Sequence, residues 1–384
     1  MPLRVLIAPD KFKGTLTAAE AARAIARGWR RGRPDDELTL LPITDGGDGF
    51  GEVLRRTLQA RPRQARTVDA AHRPITAPWW HDAASSTAVV ESARVIGLAM
   101  LPAGRYHPFE LDTFGLAAVL AAAARTGCRR CLLGIGGSAT NDGGFGLATA
   151  LGWRFVDDAG AAVRRWTELS RLRTVIPPEE RPFPNMQITV AVDVQNPLLG
   201  PRGATRVYEP QKGVRPEDRA PAEACLRRLA AVARRQLGRD DAARPGSGAA
   251  GGLGFGLMAF AGSRLRPGFA LFAERAHLED RLEAADLVIT GEGALDRSTL
   301  MGKGVGELAR LCRARGRPCL GIGGRVTEAR ALRRWFAGVH ALAPDLVSVQ
   351  EALADPRRWL GERAWGVARA WPPGQAHIPH AGSV

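Results

Sequence analysis

The stretch Cys131-Leu-Leu-Gly-Ile-Gly-Gly-Ser-Ala-Thr-Asn-Asp-Gly-Gly-Phe-Gly146 gathers residue types suited to phosphate chemistry. Gly136, Gly137, Gly143 and Gly144 let backbone N–H groups approach a ligand and turn freely. Ser138, Thr140 and Asn141 supply uncharged donors, and Asp142 places one negative charge where a phosphate-bound metal can sit. By itself the stretch also reads as a tight glycine turn without a ligand.

Lysine usage points toward phosphate as well. Of 54 Lys and Arg residues only Lys11, Lys13, Lys212 and Lys303 are lysine, and all four stand in glycine-bearing segments. Lysine is a compact point charge, whereas guanidinium is a broad planar fork, and glycine-flanked lysines are a usual phosphate-contacting arrangement. Carboxylates recur beside them: Asp10, the pair Asp45 and Asp48 in Asp-Gly-Gly-Asp-Gly, Asp193, and Glu292 with Asp296 in Gly-Glu-Gly-x-x-Asp. Asp45 and Asp48, three apart among glycines, suit Mg²⁺ or substrate hydroxyls, or form a surface turn.

The elements that must position these groups are legible as apolar runs. Residues 4–9, Cys131 to Ile135 and Ala285 to Thr290 read as buried strands, Leu38 to Ile43, Gln187 to Val192 and Pro318 to Ile322 as further strands, and Val89-Val90-Glu91 closes another. Thr17-x-x-Glu20 is a capping box opening a helix to about Arg31. Helical patterning also covers Phe109 to Arg125 and the segment running to about Arg239. Residues 160–185 look like connecting structure, Gly246 to Gly256 like a glycine loop or hinge, and Trp79 and Trp80 like packing. Strand tips carrying Asp or Gly-Glu-Gly before glycine loops, at 10, 45, 136, 193, 291 and 323, outline α/β domains with a shared cleft.

Composition excludes other classes. The 45% hydrophobic content is ordinary for a soluble protein of 384 residues. The longest uncharged stretch, Pro245 to Ser263, carries seven glycines and makes a poor membrane span. Five cysteines, with no second pair at zinc spacing to match Cys128-x-x-Cys131, read as reduced thiols of a cytoplasmic protein. The net charge of +15 is spread thinly without interleaved aromatics, so it reads as a solvated arginine-rich surface and not a nucleic-acid interface. Gly134-x-Gly136-x-x-Ala139 loosely matches a dinucleotide fingerprint, but Asn-Asp-Gly-Gly falls where that fingerprint needs an unbroken helix start. No Walker A motif exists, since Gly302-Lys303 is followed by glycine.

Taken in order, Asp-Lys-Phe-Lys-Gly-Thr-Leu-Thr, Asp-Gly-Gly-Asp-Gly, Gly-Ile-Gly-Gly-Ser-Ala-Thr-Asn-Asp-Gly-Gly, Asp-Val-Gln-Asn-Pro-Leu-Leu-Gly, Pro-Gln-Lys-Gly, Gly-Ala-Ala-Gly-Gly-Leu-Gly and Val-Ile-Thr-Gly-Glu-Gly resemble the bacterial glycerate kinase family, over roughly residues 4 to 325. The resemblance implies ATP-dependent, Mg²⁺-assisted phosphorylation of D-glycerate, with 2-phosphoglycerate as the usual product. It implies two α/β domains, a Rossmann-like parallel sheet built from both chain ends (1–70 and 285–384) and an inserted mixed domain (71–284). In this frame ATP is cradled by Gly136, Gly137, Ser138, Thr140, Asn141, Gly143 and Gly144. Lys13 and Lys212 take phosphate or the glycerate carboxylate, and Asp45, Asp142 and Asp193 compete as Mg²⁺ ligand and general base. Asp142 and Asp193 are the expected metal ligands. Asp10, Asp48, Asn196, Glu292, Asp296 and Lys303 line the substrate side. The partner is a small molecule, and the chain a monomer or homodimer. Two departures stand out: Asp296-Arg297-Ser298-Thr299 lacks the family glutamine of Asp-x-Gln-[Ser/Thr], and Phe114-Gly115-Leu-Ala-Ala replaces the commoner Tyr-Gly-Thr-Gly-Glu.

Overall fold

The computed structural model describes residues 1–302 and 304–372, without the side chains of residues 208–211. Lys303 and the last dozen residues, read from the sequence as loosely ordered, lie outside the described residues. The chain divides into two compact units, Met1–Asp45 with Phe269–Val384, and Gly46–Gly268.

The first unit begins with β1 (Arg4–Ile7), a helix Ala18–Gly32, and β2 (Glu37–Leu40). The capping box closes as its sequence demands: Glu20 N–H donates to Thr17 Oγ1 at 3.3 Å, and Thr17 N–H donates to Glu20 Oε2 at 3.0 Å. Asp36 ties the helix end to the sheet, accepting from Leu3 N–H, Trp29 Nε1 and Arg33.

The second unit carries β3 (Arg61–Val68), β4 (Pro74–Asp82), β5 (Thr87–Glu91), β6 (Arg130–Gly134), β7 (Arg154–Asp157), β8 (Leu172–Ile176), β9 (Gln187–Val192) and β10 (Arg264–Pro267). Six of these form one mixed sheet in the order β10-β9-β6-β5-β4-β3. β5, β6, β9 and β10 run parallel, while β3 and β4 are antiparallel. β7 and β8 pair as a separate antiparallel ribbon, packed with the helix Arg219–Leu237. The segment expected to be mere connection thus contributes Trp166, Leu169, Leu172 and Val175 to a buried cluster with Phe145, Phe155 and Phe260.

The chain then returns to the first unit with β11 (Leu287–Leu295), β12 (Cys319–Val326) and β13 (Gly338–Ala343), completing a fully parallel sheet in the order β13-β12-β11-β1-β2. The helix Pro356–Ala370 packs on Ala18–Gly32 at near backbone contact, since a Cβ at Gly28 would stand 2.0 Å from the Gly361 carbonyl oxygen. The unit boundaries fall at 45/46 and 268/269 where the sequence suggested about 70 and 285. The difference arises because Phe50–Thr57 packs on β4 and β5 and β3 joins the second sheet, whereas Phe269 packs near Ile43 of the first unit.

Three elements differ from the sequence reading. The helix expected from Phe109 begins only at Leu116, because Phe114 N–H bonds the Asp112 carboxylate and Thr113 N–H bonds Asp142, a local competition that opens the backbone. Gly291-Glu292-Gly293 lies inside β11, hydrogen-bonded in register with β12, and is not a loop at its tip. Lys212 is the last residue of a helix, Ala204–Lys212, stopped by Gly213 at φ 80°. Among the described residues no helix is long and apolar enough to cross a membrane. All five cysteines are buried and free of disulfides.

Candidate active site

In the Gly46–Gly268 unit, candidate groups collect at the carboxyl ends of three parallel strands, β5, β6 and β9, where open α/β sheets bind ligands. β5 ends in Glu91, 3% exposed. Its two oxygens accept the N–H groups of Gly49 and Gly51 at 3.0 and 2.9 Å, so a protein carboxylate already fills the anion position at the start of helix Phe50–Thr57. The sequence offered Glu91 only as a strand end; its cue was a charged residue closing an apolar run.

Beside it, the loop after β6 packs backbone to backbone on the Gly-Gly-Asp-Gly turn. Gly136 N–H donates to the Gly46 carbonyl at 3.3 Å, and a Cβ at Gly136 would stand 2.6 Å from Gly47 Cα. Gly137 has φ 75°, and a Cβ there would stand 1.8 Å from Asp48 Oδ1, so only glycine fits. Gly137 and Asp48 are exposed, and Gly136 is half-buried.

From Ser138 onward the loop turns inward. Asp142 is 0% exposed, and its carboxylate accepts Thr113 N–H at 3.0 Å, Thr113 Oγ1–H at 2.7 Å, Gly146 N–H at 2.8 Å and Gly144 N–H at 3.2 Å. The sequence named Asp142 as a metal ligand and catalytic group; the structure places it inside the loop, facing protein donors. Oxygens surrounded by four protein donors and closed to solvent hold the loop and the start of helix Phe145–Ala150 in place. Burial, then the Asp112 charge, pushes the Asp142 carboxyl up to about 6, against the pull of its Gly146 and Thr113 hydrogen bonds.

The inner half of the loop, which the sequence placed in a nucleotide cradle, is likewise enclosed by protein. Thr140 and Asn141 are buried, Asn141 Nδ2 donates to Thr205 Oγ1 at 3.4 Å, and the enclosed Thr140 hydroxyl has no hydrogen-bond partner among the described residues. Gly143 and Gly144, at φ 62° and 79°, face Gly252 and Gly256: Cβ atoms at Gly252 and Gly144 would stand 2.8 Å from Gly143 Cα and 2.7 Å from Gly256 Cα. The Gly-Ala-Ala-Gly-Gly segment, read as a loop or hinge, is therefore a packing bed. Ala250, Gly251 and Gly252 take positive φ values inside the stretch Ala249–Ala261, and Gly251 accepts the Gly143 N–H at 3.1 Å. The dinucleotide alternative fails here too, since the helix starts only at Phe145 and Asp142 already occupies its leading amides.

Lys212 is 8% exposed and donates from Nζ to the Thr140 carbonyl at 2.6 Å and to Ser138 Oγ at 3.2 Å. Burial pushes its ammonium down to about 7, with the Asp142 charge opposing. After β9, Asp193 is exposed, and Asn196 Nδ2 donates to the Arg202 carbonyl at 2.8 Å, bracing its own loop.

In the first unit the candidates gather around the carboxyl end of β1. Asp10 is 8% exposed and accepts Lys11 N–H at 2.7 Å. Burial, then the charge of Asp45, pushes its carboxyl up to about 8, with Glu292 adding to the push. Glu292 Oε1 accepts from Thr299 Oγ1 at 2.8 Å, and Asp296 Oδ1 accepts Ser298 N–H at 2.7 Å and Ser298 Oγ at 2.5 Å. The residues at the glutamine departure thus tie down both carboxylates of the Gly-Glu-Gly-x-x-Asp motif. Lys13 is exposed on the turn that Phe12 and Leu16 close, and Gly293 lies flush with its backbone.

Among the described residues, no three His, Cys, Asp or Glu side chains converge to hold a metal ion. Mg²⁺ needs no such cage, because one or two carboxylates with substrate phosphates suffice. On that test the enclosed Asp142 does not fit, and the exposed Asp193 does.

The model of the glycerate kinase family matches residues 5–372 of the chain. Glycerate kinase from Halalkalibacterium halodurans is 33% identical over 371 residues, 95% of this chain and 97% of that protein. Glycerate 2-kinase from Escherichia coli is 34% identical over 328 residues, 85% of this chain and 86% of its own length. A crystal structure of a candidate glycerate kinase 2 from Salmonella typhimurium LT2 matches with a TM-score of 0.79 at 32% identity, covering 96% of this chain and 98% of that one.

Proposed function

The chain belongs to the glycerate kinase family, and on that premise we propose that it transfers the γ-phosphoryl group of ATP to D-glycerate, giving 2-phosphoglycerate and ADP. The observation that carries this reading is the end-to-end match to the family, residues 5–372. In the reaction a glycerate hydroxyl oxygen attacks the γ-phosphorus, the bond to the ADP oxygen breaks, and the hydroxyl proton passes to a base.

We assign that base to Asp193, exposed at the end of β9. The same carboxylate would hold Mg²⁺ together with phosphate oxygens, and the ion would neutralise charge on the transferring group. Exposed Gly137 presents backbone to phosphate, and Lys212 supplies positive charge behind Ser138. Glycerate is itself an anion, so the cluster of Asp10, Asp45 and Glu292 repels its carboxylate and suits its hydroxyls. Lys13, exposed and cationic, suits the carboxylate.

The test is ADP release from MgATP with D-glycerate, L-glycerate or no acceptor, followed by phosphorus NMR of the product. ADP release only with D-glycerate, and a 2-phosphoglycerate resonance, is expected; a 3-phosphoglycerate resonance would overturn the product assignment. Asp193→Asn is expected to abolish turnover with the thermal melt unchanged, and near-normal kcat would remove Asp193 as base.

A further inference from the structure

Thr113 stands outside every motif the sequence singled out, yet it is 0% exposed and bonded on three sides. Its backbone N–H and its hydroxyl both donate to Asp142 Oδ2, and the same hydroxyl oxygen accepts Leu147 N–H at 2.9 Å. Its footing is rigid. Asp112 N–H donates to the Ala70 carbonyl at 3.1 Å, and the Asp112 carboxylate bonds the His72 ring at 2.9 Å. Thr67 Oγ1 donates to the Gly115 carbonyl at 2.6 Å, and a Cβ at Gly115 would stand 1.9 Å from the Val68 carbonyl oxygen. The chain on both sides of Thr113 is thus clamped to the β3–β4 turn region, while its side chain reaches the loop.

Two acceptors of Lys212, Ser138 Oγ and the Thr140 carbonyl, lie four and two residues upstream of Asp142 in the same loop. We propose that Thr113 is a positioning residue for the phosphate-handling lysine: its hydroxyl fixes Asp142, and Asp142 fixes the loop that presents Ser138 and Thr140 to Lys212. Threonine suits the task because one hydroxyl donates to the carboxylate while accepting the Leu147 amide, and its methyl group fills apolar space. Valine keeps the shape and removes both bonds.

This role rests on the reading of Lys212 as a phosphate group, so the experiment includes a direct probe of that reading. KM for MgATP, KM for D-glycerate and kcat are measured for the wild type, Thr113→Val, Thr113→Ser and Lys212→Met, each with a thermal melt. Thr113→Val is expected to raise KM for MgATP about 10-fold while KM for glycerate moves less than about twofold. Thr113→Ser, which keeps the hydroxyl, is expected to restore wild-type values. A purely architectural threonine would lower the melting temperature and leave both KM values of the folded enzyme unchanged, and that result overturns the proposal. If Thr113→Val does not fold, Thr113→Cys, with its weak S–H donor, must show an intermediate KM for MgATP, and a wild-type value overturns the proposal equally. If Lys212→Met raises KM for MgATP and Thr113→Val does not, the role of Thr113 alone falls. If neither variant moves it, the reading of Lys212 falls and carries the role of Thr113 with it.

Discussion

In the Gly46–Gly268 unit, Glu91 and Asp142 are buried with their oxygens turned onto backbone amides, two for Glu91 and three for Asp142 beside the Thr113 hydroxyl. In the other unit, Asp10 is buried against the charges of Asp45 and Glu292. The carboxyl group is the same, and the surroundings set opposite uses. A carboxylate ringed by donors is a structural anchor whose removal leaves several amides unsatisfied. A carboxyl pressed against other carboxylates keeps its proton to near neutrality, where a group that binds hydroxyls or exchanges protons is most effective. Burial alone therefore does not mark a functional acid, and the identity of its neighbours does.

Four measurements would break or sharpen this contrast. The largest effect is expected for Asp142→Ala, which strips the partner from three amides and a hydroxyl; denaturant unfolding should show a loss of about 3 kcal/mol or more. An unchanged midpoint would end the anchor reading. Asp10→Asn should do the reverse: kcat/KM for glycerate falls about 100-fold, roughly 2.7 kcal/mol, while the protein melts at the same or a higher temperature.

The third measurement uses pH. A carboxyl raised from its usual 3.8 to about 8 gives stability that is full below pH 4 and lost as pH climbs toward 8, because the unfolded chain releases that proton first. Asp142 slopes the same way up to about 6, and Lys212, lowered to about 7, slopes oppositely at higher pH. The difference between wild type and Asp10→Asn isolates Asp10, so wild type should lose stability relative to the variant between pH 4 and 8. Parallel curves would remove the cluster effect. The smallest structural effect is expected for Lys13→Ala, exposed on its turn: KM for glycerate rises about 10-fold while unfolding shifts by less than about 0.5 kcal/mol.

Much of the framework was legible because it depends on local signals. β9 spans Gln187–Val192, as its apolar run indicates, and the Thr17–Glu20 box opens its helix. Both unit sheets could be anticipated from apolar runs ending in Asp or Gly. What could not be read was the inward turn of the 138–144 loop, since glycines that receive a ligand and glycines that receive another backbone look alike in one sequence. Gly143 and Gly144 fit against Gly252 and Gly256, more than a hundred residues downstream, and no local pattern announces that pairing. The enclosure of Asp142 was hidden for the same reason: its partner Thr113 lies 29 residues away, in a turn just before the helix that begins at Leu116. Thr299, which holds Glu292, was hidden within a segment noted only for a missing glutamine.

The placement of β1 between β2 and β11 governs how the protein can be made. β1 leaves the ribosome first, yet its partner on one side starts at Leu287, so a nascent chain must carry an unfinished sheet edge through most of its synthesis. The contiguous Gly46–Gly268 unit has all its strands before that partner emerges and can close during translation. Premature termination between Gly268 and β11 would therefore release one finished unit tethered to an exposed hydrophobic strand, a species suited to chaperone capture and aggregation and unable to form the Asp10–Glu292 cluster.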